Sequence, residues 1–170
     1  MGYCKVKKPK PVLNMVVAHP DYAYTLAPNL READKKEIDA YYEDIDHGHV
    51  LQYGIETSDQ CFGICYGDTL HGLWGHGNWS AGGPCCGGLG YIWMMTDDKL
   101  FDYHSLALTR YARKVIFPQL DDLYSTYGNW VHSENIVHIR WLLRAGFKRS
   151  AVTVVNENPF SLYLRSNLDV

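Results

Sequence analysis

The 170-residue chain has no apolar run of membrane-spanning length. Its longest candidate, Leu89–Met95, falls far short of the roughly 18–20 residues a bilayer crossing needs. A signal-peptide core is also missing. Lys5, Lys7, Lys8 and Lys10 are followed by no apolar stretch with a cleavage site, which predicts a protein that is not exported by that route. A large excess of charge of one sign is missing: the net value is −3 at pH 7, which argues against a dedicated nucleic-acid binder. Complete cysteine pairing is excluded, because five is an odd count, and free thiols in a reducing compartment are the expectation.

What is present is the composition of one folded domain. Apolar residues make up 46% and charged residues 21%, enough for a core and too little charge for disorder. Residues 1–11 form a basic, proline-punctuated arm expected to be extended, and 12–170 a single domain. The arm reads as a solvated tail. The alternative is a tether to phosphate or an acidic partner, with nucleic acid contacted only weakly. The Cys61-x-x-x-Cys65 spacing suits a metal site built from Cys61, Cys65, Cys85, Cys86, His71 and His76. Adjacent cysteines such as Cys85-Cys86 point different ways in extended chain, and Cys61 and Cys65 fall at inward strand positions. No metal is therefore expected, and the thiols read as small buried hydrophobes.

Along the chain, residues 12–18 read as a strand and 31–42 as an amphipathic helix. In that helix Leu30, Ala33, Glu37, Ile38, Tyr41 and Tyr42 face inward, with Arg31, Glu32, Lys35, Lys36 and Asp39 on the other side. Residues 44–57 read as loop with at most one helical turn. Residues 61–66 and 69–75 make a hairpin around Gly67-Asp68. The glycine-rich segment 72–77 resembles a phosphate-cradling loop only superficially, since no helix follows it. Asn78-Trp79-Ser80 has the spacing of a glycosylation sequon, which carries no meaning without export.

Residues 89–96 read as a buried strand. The longest helix follows, with Leu106, Leu108, Tyr111, Ala112, Val115, Ile116, Leu120, Leu123 and Tyr124 on one face. Arg110, Arg113 and Lys114 lie opposite, and Pro118 is expected to kink the helix near its middle. Then come a strand over 127–132 and a helix capped by Ser133-Glu134-Asn135 and built on Ile136, Ile139, Leu142 and Leu143. That helix closes at Ala145-Gly146, and strands over 147–155 and 160–165 follow. The fold class is α+β: a mixed, mainly antiparallel sheet with helices on both faces.

This order, with Asn135-Ile136-Val137-His138-Ile139-Arg140-Trp141-Leu142-Leu143-Arg144-Ala145-Gly146-Phe147, resembles the GNAT family of N-acetyltransferases. Over about 65 residues, from Trp93 to about Val155, the chain is similar to an acetyltransferase-like family of internal virion proteins from short-tailed phages. The residues carrying that likeness are Trp93-Met94-Met95-Thr96-Asp97-Asp98, the basic-sided helix and His138-Ile139-Arg140-Trp141-Leu142. The resemblance implies acetyl-CoA held where strands 91–96 and 127–132 splay apart. Trp93, Met94, Met95, Thr96 and Asn135 are then the cofactor-binding candidates.

The resemblance also implies a glycine-containing pyrophosphate loop and a tyrosine proton donor. At the loop position the chain has Thr96-Asp97-Asp98-Lys99-Leu100-Phe101-Asp102-Tyr103-His104-Ser105, with no glycine and three carboxylates. At the tyrosine position it has Leu142, so no catalytic residue is assigned. The expectation is a phage protein with an acetyltransferase-like fold and no catalysis, acting on phage or host proteins in the host cytoplasm or the virion. No cofactor is then expected. One alternative is an acetyl-CoA-dependent N-acetyltransferase with an altered loop, helped by Tyr103 or His104. Another is a regulator that binds a host enzyme or nucleic acid through Lys5–Lys10 and the Arg110/Arg113/Lys114 face.

Overall fold

The computed structural model describes residues 12–79 and 88–167. The basic arm, Cys85 and Cys86 lie outside them. The elements run β1 (Leu13–Val17), α1 (Asp21–Leu26), α2 (Glu32–Tyr41), α3 (His47–Thr57), β2 (Gln60–Tyr66), β3 (Thr69–Asn78) and β4 (Leu89–Thr96). They continue with α4 (Asp98–Tyr111), a π-helical turn (Ala112–Ile116), α5 (Phe117–Leu123), β5 (Thr126–His132), α6 (Ile136–Arg144), β6 (Lys148–Val155) and β7 (Asn158–Ser166). The strands form one seven-stranded sheet in the order β1-β2-β3-β4-β5-β7-β6. Every neighbouring pair is antiparallel except β4–β5. The expected mixed sheet with helices on both faces is what forms.

Alternation along the strands feeds two cores. On one face Ile64, Trp74 and Met94 pack with Leu100, Leu108 and Leu120 from α4 and α5 and with Trp141 and Leu142 from α6. On the other, Cys61 and Leu73 pack with Ala23, Leu26, Ile38 and Leu51 from the first three helices. No described helix is long and apolar enough to cross a membrane.

Four local readings are corrected. Residues 47–57 are a full helix rather than loop, because the Asp46 side chain accepts from the His49 N–H and caps it. Its glycines, which weaken the sequence signal, are packing positions: a Cβ on Gly54 would lie 2.9 Å from the Trp93 ring. On α2, Arg31 is buried rather than outward, for reasons of charge given below. On α4–α5, Leu106 and Leu123 are exposed rather than inward. The π turn adds residues to one turn just before Pro118, which has no N–H to donate, and rotates the helical face there. On α6 the inward stripe is His138, Trp141 and Leu142, while Ile136 and Leu143 face out.

Candidate functional site: a split in the sheet and its plug

β4 and β5 pair only at Leu89–Thr126, Gly90–Tyr127 and Tyr91–Gly128. Beyond Tyr91, β4 continues beside β3 as far as Thr96 and β5 beside β7 as far as His132. The two strands thus splay, as expected, and their facing edges lose the ladder. Buried backbone donors must then find other partners.

Those partners come from the start of α2. Asp34 Oδ2 accepts from the Thr96 N–H at 3.0 Å, and Glu37 Oε2 accepts from the His132 N–H at 3.2 Å. The Arg31 N–H donates to the Thr96 carbonyl at 3.0 Å. Asn135, at the head of α6, ties the carboxylates together, its Nδ2 donating to Asp34 Oδ1 at 3.1 Å and Glu37 Oε2 at 3.0 Å. Its Oδ1 accepts from the His138 N–H, which makes it the helix cap as well. Arg31 binds Asp34 through both Nε and Nη2 and lies over the Phe101 ring, 4.6 Å from its centre. Arg31, Asp34, Glu37, Thr96, His132, Asn135 and His138 are all buried, and Phe101 is partly so.

The electrostatics of this plug follow from that burial. One full ion pair, Arg31–Asp34, sits inside the protein, and a second charge there would be costly. Desolvation raises the Glu37 carboxyl to about 8, against the opposing pull of its Asn135 hydrogen bond. Desolvation likewise lowers His138 to about 4, with Asp34 pulling the other way. At neutral pH both are held predominantly uncharged.

The start of α4 is closed in the same manner. Asp97 Oδ1 accepts from the Leu100 N–H at 2.9 Å, and its Oδ2 lies 2.8 Å from His71 Nδ1. The helix end that could hold an anion carries its own carboxylate, with Asp98 in the first turn. The cleft beside this turn is lined by Asp68, Asp97 and Asp98 against Lys99.

Of the cofactor-binding candidates, Thr96 and Asn135 are brought together, each bonded to one oxygen of Asp34. Trp93, Met94 and Met95 are divided between the faces. Met94 packs under α4, whereas Met95 and Trp93 pack on the α1–α3 side, with Trp93 Nε1 donating to Ser58 Oγ at 2.9 Å. Leu142 is fully buried in the core. Tyr103 is exposed, and His104 stacks on Tyr66. Cys61 and Cys65 are buried free thiols, and burial pushes Cys61 up to about 12.

Sequence reasoning missed Arg31, Asp34, His132 and His138 as site residues, and it had Glu37 only as an inward position. The available signal was the spacing 31, 34, 37, which puts three ionisable side chains on the inward face of a helix.

Beneath the split, on the α4–α6 face, remains a cavity of about 30 Å³ bordered by Trp74, Ile92, Asn129, His138 and Trp141. That is room for about one or two waters, not for an extended cofactor arm. Three buried polar atoms at or near the split, Trp74 Nε1, Thr96 Oγ1 and His132 Nε2, have no partner among the described residues, and of these residues only Trp74 borders this cavity. On the opposite face lies a cleft of about 630 Å³, walled by Tyr41, Tyr53, Tyr91, Trp93, Trp130 and Phe160, with Glu37 at its edge. Ile92, Trp93 and Asn129 border both spaces and form the partition between them.

The fold is that of the GNAT N-acetyltransferases. No family model matches the chain, and no curated protein does. Among solved structures it is similar to smu.2055 from Streptococcus mutans UA159, with a TM-score of 0.67 at 10% identity over 91% of this chain and 99% of that one. A putative acetyltransferase from Acinetobacter baylyi ADP1 gives a TM-score of 0.66 at 13% identity, over 93% and 94%. AAC(6')-Ib in complex with ribostamycin and coenzyme A gives 0.66 at 13%, over 92% and 94%. The backbone is shared with proteins solved with coenzyme A bound. In this chain the strand-end amides at Thr96 and His132 are taken by Asp34 and Glu37, and the start of α4 is capped by Asp97.

Proposed function

We propose that this chain is a GNAT scaffold without acetyl transfer, acting through protein contacts as an internal virion or infection-stage component of a phage. One observation carries the non-catalytic reading: the plug in which Asp34 and Glu37 take the Thr96 and His132 amides. A thiol-ended cofactor lying in the split would have to displace these carboxyl groups and leave Arg31 buried without its partner, a penalty of several kcal/mol. Asp97 and Asp98 would in addition oppose a pyrophosphate by about a kcal/mol each, even when well solvated. The phage assignment rests on the resemblance over residues 93–155.

The aromatic cleft supplies a contact surface. Tyr53 and Tyr41 are 62% and 47% exposed, and rigid aromatic side chains are favoured anchors at protein interfaces. The partners are then phage or host proteins, met in the host cytoplasm or in the particle. A second reading, an acetyl-CoA-dependent N-acetyltransferase with an altered loop, is favoured by the likeness to coenzyme A-bound structures. It requires α2 to withdraw from the split.

The test has two parts. Incubation with acetyl-CoA and a panel of amines is expected to release no free thiol beyond spontaneous thioester hydrolysis. Quantitative mass spectrometry of purified particles is expected to find the chain at a constant copy number. Sustained amine-dependent thiol release overturns the non-catalytic reading. Absence from particles removes the virion role and leaves the infection-stage one.

A further inference from the structure

β6 is the last strand of the sheet and pairs with β7 alone. Seven of its eight residues are exposed, including Val152 at 53% and Val154 at 65%. Edge strands of this kind offer a row of unpaired backbone groups, and natural proteins blunt them with charge, proline or a covering element. Here residues 150–156, Ser-Ala-Val-Thr-Val-Val-Asn, contain neither charge nor proline, and four successive positions are β-branched. The bulge between Arg149 and Ala151 confines the irregularity to the start of the strand. Lys148, Arg149 and the bulge guard the start of the strand, and the stretch from Ala151 to Val155 is left open to pairing.

The charges flanking this neutral stretch say with what. Lys148 and Arg149 stand at its beginning. Glu157 stands beyond its end, in the β6–β7 turn where Asn156 and Glu157 take φ of 45° and 64°. Basic at one end and acidic at the other, the edge complements itself when a second copy runs antiparallel, whereas a parallel copy would set like charge on like.

We infer that β6 is a self-pairing edge through which two copies of this chain form a closed, two-fold dimer with one continuous sheet. The register that fits is centred on Thr153. It pairs the regular stretch from Ala151 to Val155 with the same stretch of the second copy, sets Val152 opposite Val154 of the partner subunit, and brings the Arg149 end of one copy near the Glu157 end of the other. Cross-strand apolar pairs of this type stabilise sheets, and the flanking charges of opposite sign add attraction at each end. The two-fold also closes the assembly, so that neither β6 edge is left to propagate a fibre. This interface does not depend on whether the chain transfers acetyl groups.

Sedimentation of the full chain over a concentration series tests it. The wild type is expected to be a monomer–dimer system. Thr153→Lys puts like charges on the two-fold axis at an exposed position and is expected to raise the dimer dissociation constant at least tenfold without changing the circular dichroism spectrum. Arg149→Glu and Glu157→Arg are each expected to weaken the dimer, and the double variant to recover it, a rescue that a fold defect cannot produce. Three outcomes would overturn the inference. They are a wild type that stays monomeric throughout, open-ended association, and a dimer indifferent to Thr153→Lys and to both charge reversals. A monomeric wild type would leave the edge to a strand from another protein.

Discussion

Glu37 makes the stability of this protein pH-dependent above pH 6.5. Burial holds its carboxyl at about 8 against an ordinary 4.5, so the folded protein keeps a proton that the unfolded chain has released. That contribution is fully present below pH 4.5 and is lost as pH rises through 8. His138 acts in the opposite sense. Burial lowers it from 6.5 to about 4, so its contribution grows between those values and is complete above pH 6.5. Between pH 4.5 and 6.5 the two slopes, each about 1.4 kcal/mol per pH unit, cancel. From pH 6.5 to 8 Glu37 acts alone, and the fold loses about 2 kcal/mol, or about 4–8 °C in melting temperature for a chain of this size. Glu37→Gln keeps a neutral group of the same shape and is expected to remove most of that decline. Differential scanning calorimetry of both proteins at pH 6.5, 7.2 and 8 gives the comparison. Equal slopes in wild type and variant would refute the reasoning and place the ionised carboxylate in the folded state.

The other perturbations follow from the same contacts. Asp34→Ala leaves the Arg31 guanidinium buried and unpaired and is expected to cost about 3–5 kcal/mol in urea unfolding, and a cost below about 1 kcal/mol would mean that α2 does not hold the split. Gly128→Ala places a Cβ 2.3 Å from the Tyr163 carbonyl oxygen on the neighbouring strand, so β5 and β7 must move apart. A loss of at least about 1–3 kcal/mol is expected for that change. Asp97→Ala removes the α4 cap and is expected to cost about 0.5–2 kcal/mol. Leu142→Tyr, which restores the tyrosine of the GNAT pattern, is expected to overpack a fully buried position by about 1–3 kcal/mol and to produce no acetyl transfer. Transfer by that variant would show that the position still faces a working site.

Element type was legible wherever periodicity was strong. Strand 89–96 and the hairpin at Gly67, whose φ is 62°, follow directly from alternation and turn chemistry. Helix 47–57 was not, because Gly48 and Gly54 dilute the helical signal and their packing against Tyr24 and Trp93 is a tertiary fact. The split between β4 and β5 was legible only through resemblance, since nothing local tells a strand to leave its neighbour. The plug was hidden for a different reason. Glu32, Lys35 and Lys36 read as a solvated face, Glu37 reads as inward with no task and Asp34 is assigned to neither face, and only the amides of Thr96 and His132, far away in sequence and without ladder partners, explain what the two carboxyl groups do inside. Asn135 was found as a cap, but its second task, joining the two carboxylates, needed the fold.

The closed split is tested most directly by isothermal titration of acetyl-CoA and of free coenzyme A into the purified chain, with Asp97→Ala/Asp98→Ala beside it. The expected result is no saturable heat from either ligand with the wild type. A parallel melting curve is expected to stay flat, where ligand at 100 times its dissociation constant would add about 2.7 kcal/mol of stability. One-site saturable binding to the wild type, accompanied by a rise in melting temperature, would contradict the account and mean that α2 leaves the split to admit the cofactor.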